Sequence, residues 1–161
     1  MDIFDEAAAM TIAAAVLTDT GLHRRINEDA VGVVPGTCNG TRRDFLAVVA
    51  DGMGGHGHGD IASHVAVAAV VQAYPHGAAD IVEAVRAAVE RANAAVFALA
   101  QQSAALRGMG TTCTAIAIRD GEVACAHVGD SRLYLIRGGS IYAMTEDHSA
   151  VGGGGGGGGG G

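Results

Sequence analysis

The chain has 161 residues, 49% of them hydrophobic, a formal net charge of −7 and no lysine. It therefore holds enough apolar material for one ordinary soluble domain, and it offers no basic cluster that would bind nucleic acid through phosphate charge. Its three cysteines, Cys38, Cys113 and Cys125, are odd in number and lack a C-x-x-C pairing, which excludes a disulfide framework and a closed zinc site and points to a reducing compartment.

The apolar run from Ala7 to Leu17 follows Asp2, Asp5 and Glu6, where a secretory signal needs positive charge, and it falls short of the roughly 20 residues that span a bilayer. The protein reads as cytoplasmic, with no membrane partner. Residues 11–18 are expected to form a first strand, closed by Asp19, Thr20 and Gly21. A second strand covers Ala30 to Val34 and ends at Pro35-Gly36. After the polar loop TCNGTRR, Phe45 to Ala50 reads as a strand buried on both faces, with Asp51 its last residue.

Asp60 is the expected N-cap of a helix that stops at Tyr74-Pro75, because the residue before proline avoids helical dihedrals. A second helix opens on Asp80 and Glu83, which resemble a capping box. It keeps Ile81, Ala84, Val85, Ala88, Val89, Ala92, Ala95, Val96 and Leu99 on one apolar face and runs out at Arg107-Gly108. The remainder reads as an antiparallel meander: 111–119, the hairpin signal Asp120-Gly121, 122–128, a turn at Gly129-Asp130, 132–137, Gly138-Gly139, and 140–144. Strands, a helix pair and more strands make an α+β architecture with helices laid on a sheet face. Ten of the 26 glycines form the unbroken run 152–161, which cannot pack and reads as a flexible linker or a placeholder.

Most of the acids that carry chemistry fall at strand ends. Glu28 and Asp29 precede the second strand, Asp51 closes the third, and Asp130 sits in a turn. Carboxylates gathered at one sheet edge repel one another and need a cation, and oxygen ligands suit magnesium, manganese or calcium better than zinc. The glycines Gly52, Gly54, Gly55, Gly57 and Gly59 would keep such a site open, and Arg24 could clamp a phosphate bidentately. Taken one at a time, each acid also reads as an ordinary turn or cap residue, and Arg24 and Arg25 as surface charge. His56 and His58 read as loop residues, with His64 and His127 near them in sequence or space, since no Cys or Glu at zinc spacing accompanies them. G-M-G-G and G-M-G-T-T lack the arrangements that cradle nucleotide phosphates.

Five motifs in order, D-T-G-L-H-R-R-I-N-E-D (19–29), V-V-A-D-G-M-G-G (48–55), G-T-T (110–112), V-G-D-S-R (128–132) and T-E-D-H-S-A-V (145–151), resemble those of the metal-dependent protein serine/threonine phosphatases, the type 2C or PPM family, in their bacterial form. The resemblance spans residues 12–151 and makes 1–151 an incomplete type 2C phosphatase-like catalytic domain. It implies an αββα sandwich of two antiparallel sheets flanked by helices, with two Mn2+ or Mg2+ ions at one edge. On the matching positions, Asp51 would bridge the ions and Gly52 would lend its carbonyl. Glu28 and Asp29 would complete the shell directly or through water, Arg24 would hold the substrate phosphate, and Asp130 would help hold a third, weaker ion.

The implied reaction is hydrolysis of phosphoserine and phosphothreonine in proteins by a metal-activated water, with no cysteine or serine nucleophile. Met53 stands where some members of the family carry a histidine acid. The family's further metal-binding aspartates, in S-D-G-like and D-N-like motifs, have no counterpart before the glycine run. The implied partners are phosphorylated proteins and a serine/threonine kinase or its targets, with the phosphatase a monomer. Two rivals stand beside this reading: a catalytically impaired interaction or regulatory module on the same fold, and a simple divalent-cation or phosphate-binding domain.

Overall fold

The computed structural model describes residues 11–36, 44–54 and 58–148. Its central feature is an antiparallel sheet in the order β1 (Asp29–Val34), β2 (Asp44–Met53), β4 (Cys113–Arg119), β5 (Glu122–Val128), with the short β3 (Gly110–Thr111) continuing the β4 side of β2. Two helices, α1 (Gly59–Ala73) and α2 (Ile81–Ala100), pack on one face of this sheet and against each other. The antiparallel α+β architecture is the expected one.

Strand β2 shows why one face matters. Leu46, Val48, Ala50 and Gly52 are buried in alternation, while Val49, Asp51 and Met53 are exposed. The expectation of a strand buried on both faces is corrected here, because among the described residues the helices cover only the Leu46 side. Nor is Asp51 the last residue: β2 continues to Met53, since Gly52 and Met53 pair with Thr111 and Gly110. Period-2 alternation then puts the Asp51 side chain on the face away from the helices.

The helix ends follow local chemistry in part. Tyr74 caps α1 in an extended conformation before Pro75, as expected. At the other end the N-cap is His58, with no side-chain cap, and Asp60 lies inside the first turn, where its charge favours the helix dipole. Asp80 does cap α2, its carboxylate accepting from the N–H groups of Val82 and Glu83 at 2.8 and 3.1 Å. Glu83 does not reach back to close the box. Its carboxylate is held by Arg86 one turn on. α2 stops at Ala100, short of the expected Arg107, and buries Ile81, Ala84, Val85, Ala88, Val89, Ala92 and Val96 on the predicted stripe.

Asp120 and Gly121, with φ of 49° and 82°, turn β4 into β5 as a two-residue hairpin, the conformation that the Asp-Gly pair tolerates best. The meander does not remain one sheet. β6 (Tyr134–Arg137) and β7 (Ser140–Ala143) form a separate two-stranded hairpin beyond the Gly129-Asp130 turn. Residues 11–18 lie outside any helix or strand, with Leu17 almost fully exposed: apolar composition alone cannot make a strand without a neighbour to complete its ladder.

At the far end of β2, Asp44 pairs across the ladder with Arg119 and both are buried. Arg119 grips Asp44 through Nε and, at 2.9 Å, through Nη2, and its Nη1 donates to the Ala78 carbonyl. The Gly77 N–H donates to Asp44 at 2.6 Å. This network ties the connection between the helices to the sheet.

Candidate active site

Arg24, Glu28, Asp29 and Asp51 line one cleft of about 360 Å³, formed where the 19–28 segment runs past the end of β1 and β2. Antiparallel pairing makes Asp29 and Asp51 direct cross-strand partners, so their side chains share a face. Asn27 shapes the approach: its Oδ1 accepts from the Asp29 N–H at 3.0 Å, and its Nδ2 donates to Thr18 at 2.7 Å. Arg24 reaches one turn along the chain and donates to the Glu28 carboxylate, while most of its side chain stays exposed.

Electrostatics set Asp51 apart. Its carboxyl is held above the usual aspartate range, first by partial burial against its surroundings, then by the charge and hydrogen-bonding contact of Asp29 and by the charge of Asp130, with Arg24 pulling the other way. Acids separated by about 80 positions of sequence are thus within electrostatic reach of one another. The structure gathers Arg24, Glu28, Asp29 and Asp51 into the cleft and brings Asp130 within the field of Asp51.

The glycines have a more specific reason than openness. Gly52 is buried, its N–H bonded to the Glu28 carbonyl at 3.0 Å, and a Cβ there would come within 2.0 Å of the Gly59 carbonyl. A Cβ on Gly59 would in turn lie 2.7 Å from a Glu28 carboxylate oxygen and 2.8 Å from the Gly52 carbonyl. Two backbones and one acid therefore meet where the chain enters α1, and only hydrogen fits between them. Gly55 and Gly57 lie outside the described residues.

Sequence reading placed Thr111 and Thr112 in the G-T-T motif but gave them no role, and they hold Asp51 from the other side. Thr112 donates its N–H to the Asp51 carbonyl at 2.9 Å and accepts the Asp51 N–H on its hydroxyl, also at 2.9 Å. The Thr111 hydroxyl lies 3.0 Å from the same carbonyl and 2.9 Å from the Thr112 carbonyl, its one proton shared between the two. The signal available was a hydroxyl pair beside a run of otherwise apolar strand residues, which has meaning only once the strand opposite is known.

Other expectations resolve simply. His58 caps α1, the His64 ring bonds the Asp60 carbonyl, and the His127 ring bridges Thr114 and the Gly129 carbonyl; none of the three lines the cleft, whereas His23 does. His56 and Cys38 lie outside the described residues. Burial pushes the Cys113 thiol up to about 11, so it stays protonated near neutrality and is no nucleophile.

The donors present are carboxylate and carbonyl oxygens, the type that hard divalent cations take, and a cation would relieve the repulsion that raises Asp51. Among the described residues no three His, Cys, Asp or Glu side chains are gathered closely enough to enclose an ion by themselves. The fit is therefore that of an adjacent carboxylate pair on one side of an open cleft. One further acid stands nearby in sequence to Gly59: Asp60, whose Oδ1 is buried with no hydrogen-bond partner among the described residues.

An antiparallel α+β domain with converging acids and an arginine at the end of its central strand is the class that fold and cleft define. The chain belongs to the protein phosphatase 2C family, whose model matches residues 23–151. Over 141 residues it is 40% identical to protein phosphatase PhpP of Streptococcus pneumoniae, an alignment that takes in 85% of this chain and 55% of that protein. Among solved structures it is similar to the serine/threonine phosphatase Stp1 of Staphylococcus aureus, with a TM-score of 0.71 and 35% identity over 83% of this chain and 52% of that one. It is also similar to the catalytic domain of the serine/threonine protein phosphatase PstP in complex with two manganese ions, with a TM-score of 0.62 and 34% identity over 76% of this chain and 56% of that one. The chain thus spans about half the length of these relatives.

Proposed function

We propose that this protein hydrolyses phosphoserine and phosphothreonine in phosphorylated proteins, with divalent cations held at the Asp29–Asp51 edge. The observation that carries the reading is the juxtaposition of these two carboxylates, one with a raised pKa, in a cleft that Arg24 also lines. Family membership and the manganese-bound PstP relative support manganese, or magnesium, as the cation. When bound, such ions supply Lewis acidity and offset phosphoryl charge.

The chain's own residues have separable roles. Asp51, Glu28 and Asp29 would hold the cations through their carboxylates, directly or through water, Gly52 would lend its carbonyl, and Asp130 would assist a further, weaker ion. Arg24, anchored by Glu28 through Nη1, keeps further N–H donors for the oxygens of a substrate phosphate. The natural partners are then phosphoproteins and the kinase that made them, in the reducing compartment that the free cysteines suit; Cys113 is free and buried. No helix among the described residues is long and apolar enough to cross a membrane. The monomeric state expected from sequence belongs to the same proposal.

Manganese-dependent hydrolysis of p-nitrophenyl phosphate by the intact protein tests this reading. The wild type is expected to turn over substrate, and Asp51→Asn to lose on the order of 10²–10³ in kcat. Turnover that survives Asp51→Asn, or no turnover with any divalent metal, rejects it.

A further inference from the structure

We infer that the Thr112 hydroxyl is a positioning group for Asp51, the middle of a short relay that couples the proposed metal ligand on β2 to the loop bearing Asp130. The inference rests on the phosphatase reading for its purpose, but its geometry stands independently. The pairs Val49–Thr114 and Gly52–Thr111 on either side put Thr112 directly opposite Asp51 in the ladder. An ordinary antiparallel pair would exchange two backbone bonds there. Here one of them is replaced: the Asp51 N–H goes to the Thr112 side chain, at 2.9 Å, and the Thr112 carbonyl accepts from the Thr111 hydroxyl at 2.9 Å instead.

The same Thr112 oxygen lies 2.7 Å from the Ser131 hydroxyl, immediately after Asp130 in sequence. Gly129, at φ 107°, packs so close to Thr112 that a Cβ would fall 2.6 Å from its methyl carbon. Thr112 is itself 1% exposed, so water cannot stand in for its partners. Three demands thus fall on one side chain: a hydroxyl toward Asp51, a hydroxyl toward Ser131, and a methyl under Gly129. Threonine meets all three. Valine keeps the shape without the hydroxyl, and serine keeps the hydroxyl without the methyl.

The test compares intact wild type with T112V, T112S and S131A. Mn2+ affinity is measured by calorimetry, exchange of the Asp51 amide by NMR without metal, and p-nitrophenyl phosphate turnover across a Mn2+ titration. T112V is expected to bind Mn2+ about 10–100-fold more weakly, as loss of a group that orients a ligand does, and to exchange the Asp51 amide faster. Excess Mn2+ should restore much of its turnover. T112S, which keeps the hydroxyl and loses only the methyl packed under Gly129, should bind Mn2+ far more like the wild type than T112V does, and S131A should fall between wild type and T112V.

Wild-type Mn2+ affinity in T112V, or equal impairment of T112S and T112V, overturns the inference, because packing rather than the hydroxyl would then be what matters. Should T112V fail to fold, wild-type affinity in both T112S and S131A overturns the relay, and weakened binding in S131A alone supports it. A wild type that binds no Mn2+ sinks the phosphatase reading, and the Asp51 exchange rate then decides the Thr112 contact separately.

Discussion

Strand β2 carries an aspartate seven residues apart at two ends of one ladder, and the environments of Asp44 and Asp51 run in opposite directions. Opposite Asp44 the neighbouring strand places Arg119, and opposite Asp51 it places Asp29 on one side and Thr112 on the other. Burial is the largest influence on Asp44 and pushes its carboxyl up, but hydrogen bonds from Arg119 and Gly77, with the charges of Arg119 and His76, together hold it below the usual range. Asp51 has the acid Asp29 across the ladder where Asp44 has a base, and its carboxyl is held above the usual range. The same side chain on the same strand is a structural bolt at one end and, on the proposed reading, a cation ligand at the other. What separates them is the residue across the ladder.

Arg119→Met should have the largest effect on this contrast. It leaves Asp44 buried without its partner and is expected to destabilise the fold by about 3–5 kcal/mol in urea unfolding. A loss near zero would mean the two ends differ less than their geometry says. The pH dependence sharpens the point. Because the folded pKa of Asp44 lies below its unfolded value near 3.8, its contribution is fully present above that pH and is lost as pH falls through the folded value. Acid unfolding of Asp44→Asn should therefore show a shallower fall below about pH 4, where the wild type titrates.

Arg24→Ala probes the other end, where the arginine is bound to Glu28 and stays largely exposed. We expect KM for p-nitrophenyl phosphate to rise about tenfold with a smaller change in kcat, since a phosphate clamp acts through binding. An unchanged KM removes Arg24 from that role. The smallest effect concerns stability without metal. The raised folded pKa of Asp51 means that ionisation costs the folded state: stability is full below the unfolded value and declines as pH rises through the folded one. Metal-free Asp51→Asn at pH 7 should accordingly unfold at slightly higher urea than the wild type, by less than about 1 kcal/mol after solvent screening. A clear loss of stability would show that Asp51, like Asp44, is a structural residue.

Much of the candidate site was legible because its residues travel in short motifs. Arg24, Glu28 and Asp29 are neighbours in sequence, and Asp51 follows an apolar strand, so their meeting required only that β1 pair with β2. The α2 stripe and the Asp120-Gly121 turn were equally local. Asp44 and Arg119 were invisible for the opposite reason: 75 residues apart, each looks like a surface charge until β2 and β4 lie side by side. Thr112 stood out as part of the G-T-T motif, but its role did not, because β propensity makes threonine unremarkable in a strand until the strand opposite is known. Residues 11–18 misled through composition, and residues 132–144 through continuity, since alternation shows that strands exist but not which of them share a sheet.

By itself, then, the amino-acid order determined the periods, the turns and the kinds of atom on offer: oxygen donors, one arginine beside them, and glycines where backbones must touch. Those are properties of a residue and its near neighbours. Tertiary structure alone decided which carboxylate is neutralised and which is left facing another acid, because charge acts across the few ångströms between adjacent strands, a distance that folding sets and linear order does not.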